Sequence, residues 1–116
     1  MNLTDRYLDA GFKDYESMKK GLTLNIPENF NFGFDVVDEY ARLQPDKRAL
    51  VWCNDKGEER EYSFKDISIL SNKLADALQK LGIKKGDFVM VILKRRAEYW
   101  ITYPALHKLG AVIIPA

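Results

Sequence analysis

The sequence predicts an α/β fold, a mostly parallel sheet with a β-hairpin and flanking helices, and three observations point to it. Phe88 to Leu93 (FVMVIL) is six apolar residues without a break, too short to cross a bilayer and rich in β-branched side chains. A strand apolar at every position, not at alternate ones, is expected to be buried on both faces, as in a parallel sheet covered by helices. Glu98 to Leu109 then carries apolar residues at helical spacing, Gly110 closes it, and Ala111 to Ile114 is a second apolar run stopped by Pro115. Strand, helix and strand in that order make a β–α–β unit. The third observation is the pair of runs Arg48–Cys53 and Glu59–Phe64 around Asn54-Asp55-Lys56-Gly57, which predicts the hairpin.

The remaining elements follow in chain order. Thr4 is a candidate N-cap, and Tyr7, Leu8, Phe12, Tyr15 and Met18 recur at three- and four-residue steps, predicting a short helix that ends near Gly21. Leu22 to Gly33, with Pro27 and three asparagines, predicts an extended connector. Its Phe30 and Phe32, with Phe34 just beyond, are expected to lie against the domain. Asp35 to Leu43 predicts a helix with Val36, Val37, Tyr40 and Ala41 facing inward and Pro45 as its stop. Ser63 opens the clearest helix, with Asp66 completing a capping box. Ile67, Leu70, Leu74, Leu78 and Leu81 form one continuous stripe along it, and Gly82 stands past its end. Leu74, Leu78, Met90 and Ile92 are the expected core. Pro104, inside the last helix, is expected to kink it or delay its start.

Composition narrows the function classes. With 116 residues, 47% of them hydrophobic and 30% charged, the chain is one domain or part of one. A net charge of +1 gives no argument for nucleic acid. A single cysteine excludes an internal disulfide and suits a reducing compartment. The first residues mix acid and base without an apolar stretch, unlike a signal peptide, and no run is long enough to span a membrane. These points together predict a cytoplasmic protein.

Candidate sites are few. Gly82-Ile83-Lys84-Lys85-Gly86-Asp87 looks like a phosphate loop, but a phosphate loop leads from a strand into a helix and this one leaves a helix, so it predicts a plain turn. Lys94-Arg95-Arg96 follows the central strand, where open α/β sheets place ligands. These charges either touch a phosphate or simply end the strand at the surface, with Glu98 near enough to pair. His107 stands without a partner and is expected to interact with the helix C-terminal dipole. Cys53 is expected to be a small core residue, and Tyr99, Trp100 and Tyr103 to serve packing. Asp35, Asp38 and Glu39 read as helix-start acids, not as metal ligands. No triad, paired acid and base, metal cluster or phosphate loop is present, so no catalytic, cofactor-binding or metal residue is assigned.

Five blocks in order carry a family resemblance: PENFNF at Pro27–Phe32, PDKRALVW at Pro45–Trp52, YSFKDI at Tyr62–Ile67, LGIKKGDFV at Leu81–Val89 and ALHKLGAVIIPA at Ala105–Ala116. From about Asn25 onward the chain resembles the start of an adenylate-forming, AMP-binding acyl-CoA synthetase of the medium-chain or acetyl-CoA-synthetase-like branch. The resemblance implies residues 1–24 as a leading helix and connector and 25–116 as a partial AMP-binding domain that stops before the family's phosphate loop. It implies a carboxylic acid as substrate, with ATP, Mg2+ and coenzyme A as cofactors of the intact enzyme and none bound to this stretch. On that view the chain is inactive scaffold, expected to form a homo-oligomer through the surface the rest of the enzyme would cover. The alternative is a free-standing α/β nucleotide-binding or interaction module without catalysis.

Overall fold

The computed structural model describes residues 3–9 and 11–116; Met1, Asn2 and Ala10 lie outside the described residues. The chain forms two compact units, residues 1–30 and 31–116.

In the first unit the predicted single helix is instead two pieces. Leu3–Arg6 is a 3-10 turn, and α1 (Tyr15–Gly21) starts afresh at Asp14. The restart has a local cause: the Asp14 carboxylate accepts from the Ser17 amide at 2.7 Å, while the Ser17 hydroxyl accepts from the Asp14 amide at 3.2 Å. An antiparallel bridge joins Leu8 to Leu24, and the Asn25 amide donates to the Tyr7 carbonyl at 2.9 Å. Phe30, Phe32 and Phe34 are 36%, 47% and 51% exposed, so the aromatic side chains of the connector are not buried as expected, and Leu22, Leu24 and Ile26 are exposed as well.

In the second unit the helical backbone begins at Phe32, three residues earlier than the helix predicted from Asp35. The Asn31 side chain accepts from the Gly33 amide at 2.9 Å and starts a π-helical segment, Phe32–Asp38, which runs into α2 (Glu39–Leu43). Gly33 has no alternative here, because a Cβ would lie 2.8 Å from Lys108 Cγ and 2.9 Å from the Pro104 carbonyl oxygen. Strands β1 (Arg48–Cys53) and β2 (Glu59–Ser63) form the antiparallel hairpin. Asn54 closes its turn, accepting from the Lys56 and Glu58 amides at 3.0 Å each.

Helix α3 (Phe64–Lys80) opens on the predicted capping box. The Asp66 amide donates to the Ser63 hydroxyl at 3.1 Å, and the Ser63 amide donates to Asp66 Oδ2 at 2.8 Å. Strand β3 (Phe88–Val91), helix α4 (Ala97–Leu109) and strand β4 (Val112–Pro115) complete the chain, with β3 and β4 parallel and Val89 opposite Ile113. Helix α4 runs through Pro104 and ends at Gly110, whose φ of +71° is the left-handed conformation glycine favours.

Two expectations about the sheet do not hold. The described strands form two separate two-stranded sheets, one antiparallel and one parallel, so the sheet is not mostly parallel. Nor is β3 buried on both faces. Phe88, Met90 and Ile92 are 73%, 60% and 66% exposed, whereas Val89, Val91 and Leu93 pack inward. The pleat sends alternate side chains to opposite faces, and within this chain helices cover only one of them.

Two apolar clusters make the core. Val37, Ile67 and Ile101 form one, with Leu50, Tyr62, Leu70 and Leu74 against it. Val91, Leu106 and Ala111 form the other, with Leu78, Ile83 and Ile113 around it. The α3 stripe thus feeds both clusters, except that Leu81 at its end is 80% exposed.

Candidate functional site

The residues best placed for chemistry surround the loop from Leu93 to Arg96, between β3 and α4. The loop is fixed from both sides. The Arg96 amide donates back to the Leu93 carbonyl at 3.2 Å, and Trp52 Nε1 on β1 donates to the Arg95 carbonyl at 2.7 Å. Ala97, which follows, is 1% exposed and anchors the helix start. Lys94 takes φ +22°, the one positive value among the described non-glycine residues, so the turn is held in a sparsely populated conformation.

The hairpin supplies the wall. Alternation along β1 turns Leu50 and Trp52 inward, and the register sets Arg60 on β2 opposite Trp52. The Arg60 guanidinium lies 5.4 Å from the Trp52 ring centroid and 3.7 Å from Glu98. Its pKa is raised further, first by the Tyr62 hydroxyl and then by Glu98 and Glu58. Glu98, expected to pair with the loop, therefore pairs with Arg60. Lys94, Arg95 and Arg96 make no ion pair among the described residues. A groove of about 350 Å³ lies on each side of the loop, one reaching Tyr99 and Trp100 and the other Lys56 and Arg60. The site can therefore hold an anion beside an aromatic ring.

The other candidates are spread elsewhere. In Gly82 to Asp87 the Lys84 amide donates to Asp87 Oδ2 at 2.9 Å, closing the turn, and the Gly86 amide donates to the Gly110 carbonyl at 2.9 Å, tying it to the end of α4. For His107, expected to interact with the helix C-terminal dipole, burial works against the charged form. Its Nδ1 is buried without a hydrogen-bond partner among the described residues, Phe32 and Tyr103 meet its ring edge to face, and burial lowers its pKa. Cys53 is exposed and not a core residue, because it sits on the outward phase of β1. Tyr99 and Tyr103 share a hydrogen bond at 2.5 Å, and Trp100 is 57% exposed.

The acids serve structure. The Asn31 amide donates to Asp35 Oδ2 at 2.7 Å, and Glu39 pairs with Arg42 at 2.8 Å. Asp38 Oδ1 takes Lys108 Nζ and the Ser68 hydroxyl, each at 2.6 Å. Lys108 Nζ, on a side chain only 3% exposed, also donates to Ser71 Oγ at 3.0 Å and Asn72 Oδ1 at 2.7 Å. That network ties the π-helical segment, α3 and α4 together. No group of three or more His, Cys, Asp or Glu among the described residues converges to hold a metal ion. No described helix is long and apolar enough to cross a membrane.

The sequence signalled Lys94 to Arg96 but not Trp52 or Arg60. Only the β1 alternation and the cross-strand register bring them there.

The fold fits an α/β portion of an adenylate-forming protein, and sequence comparison makes the class definite. The AMP-binding enzyme family matches residues 37–116, and the chain belongs to that family. It is 40% identical over 110 residues to the human mitochondrial acyl-coenzyme A synthetase ACSM3, covering 90% of this chain and 19% of that protein. The chain thus spans about a fifth of the length of such curated relatives. Among solved structures it resembles a Mycobacterium tuberculosis fatty acyl CoA synthetase, at 29% identity and a TM-score of 0.66 over 74% of this chain and 16% of that one. The Klebsiella oxytoca NpsA N-terminal subdomain in complex with anthranilyl-AMSN is also similar, at 33% identity and a TM-score of 0.63 over 71% of this chain and 20% of that one.

The relatives correct the cytoplasmic expectation, because ACSM3 and ACSM4 are both named as mitochondrial. The sequence argument rested on one cysteine and a mixed-charge N-terminus. These speak against an oxidising compartment and a secretory signal, and do not separate cytoplasm from other reducing spaces.

Proposed function

We propose that this chain is the N-terminal part of an acyl-coenzyme A synthetase of the medium-chain branch, working in mitochondria. The observation that carries the proposal is the 40% identity to human ACSM3 over 110 residues. Such an enzyme uses ATP and Mg2+ to convert a fatty or short-chain acid to an acyl-adenylate, releasing pyrophosphate, and then passes the acyl group to coenzyme A. In this reading residues 1–24 are a leading helix and connector, and 25–116 contribute part of the AMP-binding domain.

The role of these residues is positional. The Lys108–Asp38 network and the two apolar clusters fix α3, α4 and both strand pairs as one support. No nucleophile, general base and electrophile stand together among its described residues, so in this reading it supplies no bond-making step by itself. The test is carboxylate-dependent exchange of pyrophosphate into ATP. The purified 116-residue chain should give none, whereas the longer polypeptide of its reading frame should give exchange and acyl-coenzyme A. Exchange by the chain alone, above a mock preparation, would overturn the scaffold role. A longer polypeptide inactive with every carboxylate tried would overturn the reaction class.

A further inference from the structure

We propose that the grooves around Lys94, Arg95 and Arg96 bind a phosphorylated ligand carrying a flat ring, with a nucleoside diphosphate as the fitting chemistry. The inference stands on the geometry of this chain and does not depend on the enzymatic reading above.

Three observations carry it. The first is uncompensated charge. Three consecutive cations occupy a four-residue turn, and the nearby acid Glu98 pairs with Arg60, 3.7 Å away, leaving the loop's own cations without an ion pair among the described residues. Like charges held side by side repel, and an anion between them relieves the repulsion. Arginine suits phosphate in particular, because its planar fork offers parallel N–H donors to two phosphate oxygens.

The second observation is order. A run of cations that merely ends a strand has no reason to be fastened. Here the loop backbone is fastened by the Trp52 indole at 2.7 Å and held with Lys94 at φ +22°. Its position is thereby fixed relative to the hairpin before any ligand arrives, which lowers the entropy lost on binding. The Trp52 indole spends its one donor on this task.

The third is the ring surface. Trp52 lines both grooves, and Trp100, 57% exposed, lines the first together with Tyr99. An exposed tryptophan face beside a phosphate-binding cluster is a stacking surface for a purine or pyrimidine. A groove of about 350 Å³ falls within the size range of small-molecule sites. The site also lies beyond the carboxyl end of β3, one of two parallel strands, where α/β proteins bind ligands.

Both tryptophans of the chain, Trp52 and Trp100, are in this site, so tryptophan emission, excited beyond the tyrosine absorption, reports on it. ADP titrated into the purified chain should quench that fluorescence saturably. Inorganic pyrophosphate should compete, and adenosine should bind far more weakly. Arg95→Ala with Arg96→Ala should weaken ADP binding by about tenfold or more, the loss expected for charge-assisted hydrogen bonds. Lys19→Ala with Lys20→Ala makes the same charge change on α1 and should leave it unaltered. An unchanged urea midpoint would show that the arginine variant is folded; if it is not, Lys94→Ala alone should still weaken binding. No saturable quenching by ADP, equal binding of adenosine, or equal weakening by the α1 variant would overturn the proposal. So would binding only to vesicles containing anionic phospholipid, with no competition from pyrophosphate, since that would make the patch a membrane surface.

Discussion

Helices α3 and α4 pack in the same two clusters, yet they are held by opposite means. Helix α3 is secured from its own sequence. Ser63 and Asp66 cap it reciprocally, Lys80 pairs with Asp76 at 2.7 Å one turn away, and only Ile67 and Ser71 are buried. Helix α4 has no side-chain cap at Arg96 and contains Pro104, which removes a backbone donor from its middle. It buries Ala97, Ile101, Pro104, Ala105 and Leu106 instead. A helix can thus be written locally or imposed by its neighbours, and only the first kind announces its ends.

Substitutions separate the two helices. The largest effect should come from Leu106→Ala, since Leu106 is fully buried in α4. A loss of about 2 to 5 kcal/mol is expected in urea unfolding. Leu78→Ala on α3, only partly buried against the same cluster, should lose less. Equal midpoints for the two variants would show that α4 is no more dependent on packing than α3.

Loss of the cap should come next. Ser63→Ala should destabilise by about 1 kcal/mol and fray the start of α3. It should also change the acid limb of the stability curve. The Ser63 hydroxyl, and then the Ser63 amide, hold the Asp66 carboxyl below its ordinary range. A depressed carboxyl stabilises the fold above its unfolded pKa of about 4, and that contribution is lost as pH falls through the folded value. The variant should lose stability less steeply below pH ~4 than the parent chain; an unchanged acid limb would mean the box does not govern Asp66.

The smallest effect belongs to α4. Burial lowers the pKa of His107, so below about pH 6.5 the unfolded chain binds a proton that the folded chain resists. The folded state should therefore weaken as pH falls through that range, and His107→Gln should flatten the dependence. Because the chain has one histidine, its ring-proton NMR titration gives the midpoint directly. A midpoint at or above 6.5 would restore the helix dipole as the stronger influence.

What was legible in the sequence divides along the same line. The α3 cap, the Asn54–Gly57 turn and the Gly110 terminus are short-range chemistry, and each stands where its residues put it. The break between Leu8 and Tyr15 was missed because the helical spacing there ran on past the point where Asp14 and Ser17 start a new cap. The exposure of Met90 and Ile92 was not legible, since an unbroken apolar run is silent on which face this chain covers. In the candidate site the basic loop was plain, but its fastening joins Trp52 to Arg95 across 43 positions and appears only once β1 is folded against it.

The bare side of β3 bears on how a cell would treat this chain. Phe88, Met90 and Ile92 stand in a row, with Val112 and Ile114 also exposed on the neighbouring strand. Chaperones and degradative proteases recognise proteins by the apolar surface they display, not by whether folding is complete. A molecule showing this row therefore offers such factors a contact even when its helices are capped and its core is closed, so its lifetime in a cell should depend on cover for that row as well as on its stability.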